Sequence, residues 1–470
     1  MKHLLIIMGS VAIASVLQLT NTIFLERIFD ISTVGEYGLF LNVTMLIAVF
    51  VQFGIRDFAT IQYSSDTLPV QYIGLLFKTS LILCGFIGVA LYLNNYFSVQ
   101  ALDTYSFVFT NSISFSIAVA LLVLANYVTG IAIVHRDFIA VGVFRDYGRH
   151  LATFFFLILF GFFNVNIQIY TAWSLIFFIL ISAFALRYQS LLRSALLEKG
   201  QLSVALKMSA PYYFNDILLN VAALGDVILL SFFLSADEVG IYFVCSRIIL
   251  LINIILNVVG SHSSPSLARL LSLNNHKDAC LVMSLTSRIM LFVTVPLVIL
   301  IILFGAELLS IWNLEKKYVL VLELLCLGRV VNVLTGNIGK YMIYSEKRNL
   351  EVINNFISIA LMFILFLWLV PVYGLVGAAL ANTLLLILSN AIKYFTYLYV
   401  FKIGYINVGH LFYLTLLFVS YVALKYLTVS FEGVLLAGAF IVLYFGLAIK
   451  IAFSDYLNYM RVANKVYLRS

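Results

Sequence analysis

Residues 211–262 read PYYFNDILLNVAALGDVILLSFFLSADEVGIYFVCSRIILLINIILNVVGSH, two long apolar runs joined by a polar turn at 235–238. A helix of about 20 apolar residues spans the hydrocarbon core of a bilayer. The stretch therefore predicts a hairpin of two transmembrane helices. Two charges, Asp226 and Arg247, interrupt the runs, each nine residues from the turn. Both would lie about 13 Å from the same end of the hairpin, where they can pair.

Charged side chains inside a membrane are costly and usually face the protein interior. One hypothesis gives Asp226 a role in proton or sodium coupling and Arg247 a role in anion binding. The alternative is a static pair between the two helices. Asp216 and Asn220, one turn apart near the inner end, either line a cavity or bond to each other.

An earlier stretch repeats this pattern. Residues 34–37, VGEY, match residues 239–242, VGIY, at an offset of 205. At the same offset Asn21 matches Asp226 and Asn42 matches Arg247. The second half of the chain therefore carries charges where the first half carries amides.

The composition identifies a polytopic all-α membrane protein. Of 470 residues, 63% are hydrophobic and only 10% are charged, whereas a soluble domain has about half and a quarter. The four cysteines show no disulfide or metal spacing, and no histidine pair, Walker A motif or Ser/His/Asp arrangement is legible, so we expect no metal, no cofactor and no enzyme. We predict about fourteen spans, at 4–24, 37–53, 73–93, 107–134, 141–163, 167–186, 211–234, 239–259, 289–309, 318–341, 356–372, 375–399, 411–427 and 434–453.

The positions of Lys and Arg give the orientation. With the N-terminus inside, 22 of the 28 lie in inner segments and 4 in outer ones. This bias predicts cytoplasmic termini and explains the net charge of +7 without nucleic acid. The repeat shifts by six spans, an even number, which predicts two parallel six-helix lobes as in alternating-access transporters. The predicted domains are 1–200 and 201–402, followed by an appended helix pair within 403–470.

The tenth span carries four residues at helical spacing, Arg329, Asn332, Gly336 and Lys340. A continuous helix would place them on one face. Near the midplane, Arg329 is predicted to line a central cavity that takes a phosphate or an acidic sugar. The alternative is a structural cation bound to a carbonyl or to an acid.

Arg145 and Arg149 lie one turn apart at the cytoplasmic end of the fifth span. On one helix face they could receive a diphosphate, which arginine binds bidentately. The alternative is that they meet anionic lipid headgroups as ordinary positive-inside residues.

Several stretches of the second half resemble a known family: FLSADEVGIYFVCSRI (233–248), SPSLARLL (264–271), LFGAELLSIWNLEKKYVLVLELLCLGRVVNVLTGNIGKYMIYSEKRN (303–349) and PVYGLVGAALANTLL (371–385). STVGEYGLF (32–40) and FGIRDFAT (53–60) extend the match into the first half. The chain resembles the bacterial polysaccharide exporters and O-antigen flippases of the multidrug/oligosaccharidyl-lipid/polysaccharide exporter superfamily.

This resemblance implies a MATE-like pair of lobes around a cavity. It also implies a flippase that moves a polyprenyl-diphosphate-linked oligosaccharide across the bacterial cytoplasmic membrane, with membrane lipids, a polysaccharide polymerase and assembly proteins as partners. The extra helix pair resembles the lipid II flippases, which are the nearest alternative. A multidrug antiporter would share the fold. We predict Arg145, Arg149, Arg247, Arg329, Asn332 and Lys340 as substrate-binding residues and Asp226 as the residue that couples transport to H⁺ or Na⁺.

Overall fold

The structure is a computed structural model that describes residues 2–56, 58, 71–96, 112–135, 137–163, 173, 175–181, 202–345, 347–427, 446 and 448–460. No residue in these ranges lies in a β-strand, so the predicted all-α class is confirmed. The helical elements are α1 Lys2–Ile28, α2 Ile31–Val51, α3 Gln71–Tyr96, α4 Ser112–Val134, α5 Phe138–Val141, a π-helix Gly142–Tyr147, α6 Gly148–Phe163, α7 Leu202–Leu230, α8 Ala236–Ser272, α9 His276–Leu303, α10 Gly305–Ser310, a 3₁₀ turn Lys316–Tyr318, α11 Val319–Thr335, α12 Ile338–Tyr344, α13 Arg348–Phe401 and α14 Val408–Leu427.

Within the described ranges, nine helical segments are long and apolar enough to cross a membrane. They cover the predicted spans 1 to 4 and 7 to 12, with the eleventh and twelfth in one long helix. Helical residues 138–163 and 408–427 overlap the fifth and thirteenth. The sixth and fourteenth lie partly outside the described residues. The chain is thus a multi-pass membrane protein, and the count of fourteen stays a prediction.

The two helices of the predicted hairpin are α7 and α8, which are joined by the turn at residues 231–235. A capping box begins α8, because the Ser235 hydroxyl and the Glu238 backbone N–H lie 3.4 Å apart and the Glu238 carboxylate accepts from the Ser235 N–H at 3.2 Å. Both helices extend beyond the predicted spans, α7 back to Leu202 and α8 on to Ser272. The polar turn that the sequence predicted therefore acts as the helix start.

Two compact units make up the chain, Met1–Val244 and Cys245–Ser470. In the first unit, α2 packs against α4 and α7, α3 packs against α4 and α7, and α1 packs against α6 and the π-helix. The helix α7, which we predicted to open the second lobe, thus contacts the first-lobe helices. The predicted lobe boundaries themselves stay a prediction.

The sequence repeat becomes a physical contact in the first unit. A Cβ on Gly35 would lie 2.1 Å from the Ala236 carbonyl oxygen, and a Cβ on Gly240 would lie 2.1 Å from that of Ile31. Gly35 and Gly240 are related by the offset of 205, and so are Ile31 and Ala236. Such reciprocal contacts are what a twofold relation between two copies produces. The repeat glycines therefore permit a backbone-to-backbone approach that any side chain would block.

In the second unit, α11 packs between α9 and α13. The long helix α13 is interrupted at Gly374, whose φ of 54° and ψ of −133° are not helical. This interruption lies between residue 372, where the eleventh span was predicted to end, and residue 375, where the twelfth was predicted to begin. A positive φ is easy only for glycine, so the break between these two spans is confirmed and encoded locally.

The tenth span is not the continuous helix that we predicted. The helix α11 ends at Thr335, Gly336 has a φ of 55° and a ψ of −125°, and α12 starts at Ile338. The buried Tyr405 hydroxyl donates to the Thr335 carbonyl at 2.8 Å and so satisfies an acceptor near the break. The helical spacing that placed Lys340 on one face with Arg329 does not apply across this break, and that prediction was wrong.

The start of α14 is attached to α9 by buried polar contacts that we call the junction, formed by Ser287, Arg288, His410 and Asp455. Arg288 Nη2 lies 2.9 Å from Asp455 Oδ1. The Asn407 N–H donates to His410 Nδ1, which leaves Nε2 to donate to the Ser287 hydroxyl at 2.7 Å. Burial raises the pKa of the Asp455 carboxyl, while the Arg288 charge acts in the opposite direction. The junction connects residues 448–460 and α14 to the rest of the second unit.

Candidate functional site

A polar cavity of about 280 Å³ lies within the first unit. Residues of α2, α4, α6, α7 and the π-helix surround it. Its lining residues are Met45, Ala48, Val49, Gln52, Arg56, Leu122, Ala125, Asn126, Phe144, Arg145, Asp146, Arg149 and Asn220. Three arginines and one aspartate are among them, within otherwise apolar spans.

Arg145 lies in a π-helix rather than in the α-helix that we assumed. Single π-helical turns inside α-helices are rare and often occur at functional sites, because the extra residue changes where side chains point. Both Arg145 and Arg149 nevertheless line the cavity. The structure therefore brings together the two arginines that the sequence pattern paired, although by a different local geometry.

Arg145 is neutralised by its neighbour. Its Nε and Nη2 atoms donate to the two carboxylate oxygens of Asp146 at 2.7 and 3.1 Å. The Ser10 hydroxyl of α1 donates to the same carboxylate at 2.7 Å. This bidentate arrangement fixes Arg145 at the cavity wall and uses most of the acceptor capacity of Asp146.

Arg149 is different, since no described carboxylate forms an ion pair with its guanidinium. Its Nη1 lies 2.9 Å from the Met45 sulfur, and its Nε lies 3.4 Å from His150 Nε2. Its backbone carbonyl accepts from the Trp173 indole at 3.1 Å, which holds this turn of α6 in place. A guanidinium has five N–H donors, and a thioether sulfur is a weak acceptor. Arg149 is therefore a half-buried cation with spare donors on a cavity wall.

A chain of hydrogen-bonded side chains contributes Gln52, Arg56 and Asn126 to the cavity wall. The buried Asp216 carboxylate accepts from Arg56 Nη2 at 3.1 Å and from Gln52 Nε2 at 3.0 Å. Asn126 donates to the Gln52 carbonyl oxygen at 2.7 Å. Asn220 donates to the backbone carbonyl of Asp216 at 2.9 Å and also lines the cavity, so both alternatives that the sequence left open apply to it. Asp216 is the carboxylate that accepts the hydrogen bonds from Gln52 and Arg56.

Gln52, Asn126 and Arg56 were not among the site residues predicted from the sequence. A signal was present, because Gln52 and Asn126 are amides within long apolar runs. Polar residues inside spans usually face the bundle interior. Read alone, each could equally have bonded to its own helix, so the sequence could not show that they meet.

Asp226 also belongs to the first unit, on α7. Its Oδ2 accepts from the Tyr242 hydroxyl at 3.0 Å, and its Oδ1 accepts from the Val227 N–H at 2.8 Å. At the repeat-related position, Asn21 donates to the His150 carbonyl at 2.7 Å. The predicted pairing of Asp226 with Arg247 would join the two units and stays a prediction.

The other predicted site residues lie in the second unit. Arg247 and Arg329 are half-buried on α8 and α11. The Asn332 carbonyl oxygen accepts from Asn390 Nδ2 at 3.4 Å, and the Asn390 oxygen accepts from the Thr335 hydroxyl at 2.6 Å. Asn332 thus contributes to an amide contact between α11 and α13, and its predicted role in substrate binding stays a prediction.

Lys340 lies past the helix break, on α12. Its ammonium donates to the Ser264 hydroxyl of α8 at 3.0 Å, and among the described residues it forms no ion pair. Lys340 is therefore, like Arg149, a half-buried cation without a carboxylate.

No protein-family model matches the chain, and no curated protein matches it in sequence. Solved structures do match it in fold. The chain is similar to the lipid II flippase MurJ in an inward closed conformation, with 14% identity and a TM-score of 0.72 over 96% of this chain and 100% of that one. It is also similar to an inward-facing multidrug resistance MATE transporter of the MOP superfamily, with 13% identity and a TM-score of 0.57 over 88% and 95%.

A Vibrio cholerae MATE transporter, VcmN, matches with 13% identity and a TM-score of 0.55 over 85% of this chain and 96% of that one. At such low identities the likeness concerns the fold, and the function is a separate question. Each of these alignments covers at least 85% of this chain and at least 95% of the other chain. The chain therefore has the fold that the lipid II flippase and the MATE transporters of this superfamily share.

Proposed function

We propose that the chain is a flippase that moves a polyprenyl-diphosphate-linked oligosaccharide across the cytoplasmic membrane by alternating access. The single observation that carries the proposal is Arg149, a cation with spare donors on the wall of a polar cavity in a membrane-spanning unit. A half-buried guanidinium that forms an ion pair with no described carboxylate is costly. A function in which a ligand supplies the negative charge accounts for that cost.

The chemistry of the cavity fits the head of such a lipid. The guanidinium of Arg149 can bind two phosphate oxygens in a fork, and Arg56 also lines the cavity. The amides of Gln52, Asn126 and Asn220 offer donors and acceptors to sugar hydroxyls. The polyprenyl chain needs no polar pocket, because it can remain in the bilayer. The proposal assigns binding residues and no catalytic residue.

A lipid II-type precursor is the second candidate, supported by the fold match to the lipid II flippase over nearly the whole chain. It is also a polyprenyl diphosphate, so the same arginines would bind it. A multidrug antiporter for cationic drugs is less favoured by the cavity wall, because Arg145 and Arg56 are paired with carboxylates while Arg149 has no described carboxylate partner. Like charges at the binding site would oppose a cationic substrate.

The ion coupling, the location and the partner proteins are proposed from the sequence. Asp226, held by Tyr242, is the proposed site of H⁺ or Na⁺ coupling. The proposed location is the bacterial inner membrane with both termini in the cytoplasm. Polysaccharide polymerase and assembly proteins are the proposed partners.

The test is translocation of a fluorescent polyprenyl-diphosphate oligosaccharide in proteoliposomes, with and without proton and sodium gradients. We expect transport by the wild type and a loss of about 10- to 100-fold in Arg149→Gln, the range expected from losing hydrogen bonds to a charged group. Arg149→Lys keeps the charge but loses the fork, so it should retain intermediate transport. Asp226→Asn should remove the dependence on the gradient.

Lys402→Gln is the matched control, because Lys402 is an exposed cation outside the cavity. Transport by Arg149→Gln at the wild-type rate would overturn the role of Arg149. Transport of a lipid II analogue at a higher rate than the oligosaccharide lipid would favour the second candidate. Export of a cationic dye without any lipid transport would favour the antiporter.

A further inference from the structure

A second polar cluster lies in the second unit, where α12 meets α8. Residues 260–264 of α8 read GSHSS, which is rich in hydroxyls. Lys340 Nζ lies 3.0 Å from the Ser264 hydroxyl. An ammonium has three donors and no acceptor. Among the described residues no carboxylate pairs with Lys340, so this ammonium is directed at a hydroxyl instead of an anion.

Another lysine of the same unit shows the contrast. Lys393 Nζ lies 2.6 Å from Glu351 Oε1 and 2.8 Å from Asn355 Oδ1. Both members of that ion pair are largely buried, and the lysine is neutralised within the fold. The second unit thus supplies a carboxylate where it buries a lysine for structural reasons. Lys340 lacks that arrangement, which indicates a different role.

The backbone around Lys340 allows other polar groups to lie close to its ammonium. The break at Gly336 places Asn337 at the start of α12, where its Nδ2 donates to the Ser263 hydroxyl at 2.9 Å. A Cβ on Gly260 would lie 3.0 Å from Lys340 Nζ and 2.8 Å from Asn337 Oδ1. The glycine therefore permits both polar groups to approach α8 closely. A cation, an amide and hydroxyls meet in one place, and no described carboxylate forms an ion pair with the cation.

We infer that Lys340, Ser264 and Asn337 form a binding site for the phosphate or diphosphate group of a lipid. Ammonium, hydroxyl and amide donors are the groups that bind phosphate oxygens. The topology from Lys and Arg predicts that this end of α12 faces the cytoplasm, at the depth of lipid headgroups. For its substrate the inference rests on the proposed function: the site would capture the polyprenyl diphosphate from the inner leaflet. A resident anionic phospholipid offers the same chemistry.

The test is direct binding, measured by calorimetry on the full chain in phosphatidylcholine nanodiscs. The probe is farnesyl diphosphate, with farnesol as the uncharged control and inorganic phosphate as the free anion. We expect Lys340→Gln to weaken binding of farnesyl diphosphate by about tenfold, as for the loss of a charged hydrogen bond. Lys402→Gln, an exposed lysine of the same unit, should bind as the wild type does.

Gly260→Ala keeps every charge and displaces the ammonium, so weaker binding there would support the geometry even if Lys340→Gln folds poorly. Repeating the titration in phosphatidylglycerol nanodiscs separates the sources: competition that depends on Lys340 would identify a phospholipid occupant. Equal binding by Lys340→Gln, Gly260→Ala and the wild type would overturn the site, as would equal binding of farnesol.

Flipping by the wild type is scored separately. Binding that depends on Lys340 in a protein that flips no lipid would leave the site standing and remove the proposed function. Flipping by a protein whose binding does not depend on Lys340 would overturn the site and leave the proposed function standing.

Discussion

The cavity of the first unit and the junction of the second unit use arginine in opposite ways. At the junction, Arg288 lies 2.9 Å from Asp455, and their side chains are 16% and 5% exposed. In the cavity, Arg149 has a thioether and an imidazole as neighbours and no described carboxylate within ion-pair distance. The same residue type thus connects helices in one region and offers free donors in the other. The partner, and not burial alone, separates a structural cation from a candidate binding group.

Removing the carboxylate of the junction should have the largest effect on stability. Asp455→Ala leaves Arg288 buried without a counter-ion, which costs about 3–5 kcal/mol of unfolding free energy. Equilibrium unfolding in mixed detergent micelles measures it. The double variant Arg288→Leu with Asp455→Leu should recover most of the loss, because neither charge is then left unpaired. An unchanged unfolding midpoint in Asp455→Ala would contradict the structural role of the pair.

Within the cavity, Asp216→Asn should have an intermediate effect. It weakens the bonds from Arg56 and Gln52 but keeps the shape of the side chain. Because Arg56 is 30% exposed and can be screened by water, we expect a loss of about 1–3 kcal/mol. The same unfolding assay measures it. A loss as large as that of Asp455→Ala would place Asp216 with the structural ion pairs.

Arg149→Gln should change stability by less than about 1 kcal/mol, because no described carboxylate forms an ion pair with Arg149. The unfolding assay should therefore show a near-normal midpoint in a variant whose transport has fallen. This separation between stability and transport tests most directly whether Arg149 differs from Arg288. A variant that loses both together would make Arg149 a structural cation like Arg288.

Removing an exposed ion pair should have the smallest effect on stability. Lys317 Nζ lies 2.8 Å from Glu315 Oε1, with both side chains more than half exposed. Surface pairs contribute little, since water and salt screen them. Glu315→Gln should leave both the unfolding midpoint and transport unchanged, measured in the same two assays. A clear destabilisation would show that distance alone, without burial, predicts the strength of pairing in this protein.

Much of the fold could be predicted because its signals are local. The apolar runs, the polar turn at 235–238 and the break at Gly374 each depend on residues close together in the sequence. The VGxY repeat was also visible in the sequence, and the structure brings its two copies together at Gly35 and Gly240. The break at Gly336 was missed, because a glycine inside an apolar helical pattern is compatible with either a helix or a break.

The candidate site was only partly predictable. The pair Arg145 and Arg149 was selected from its spacing, and both line the cavity. The sequence could not show that Asp146 neutralises Arg145 while Arg149 keeps spare donors. Nor could it bring Gln52, Asn126 and Asp216 together, since these residues lie on three different helices.

The sequence by itself determined that this chain is an all-helical membrane protein with a repeated hairpin and cations inside its spans. Hydrophobic length, charge bias and turn chemistry are properties of neighbouring residues, so they can be read without a fold. Only the tertiary structure decided which cations meet a carboxylate. Pairing depends on distances of a few ångströms between helices that are far apart in the chain, and the electrostatic energy of a buried charge changes steeply over such distances.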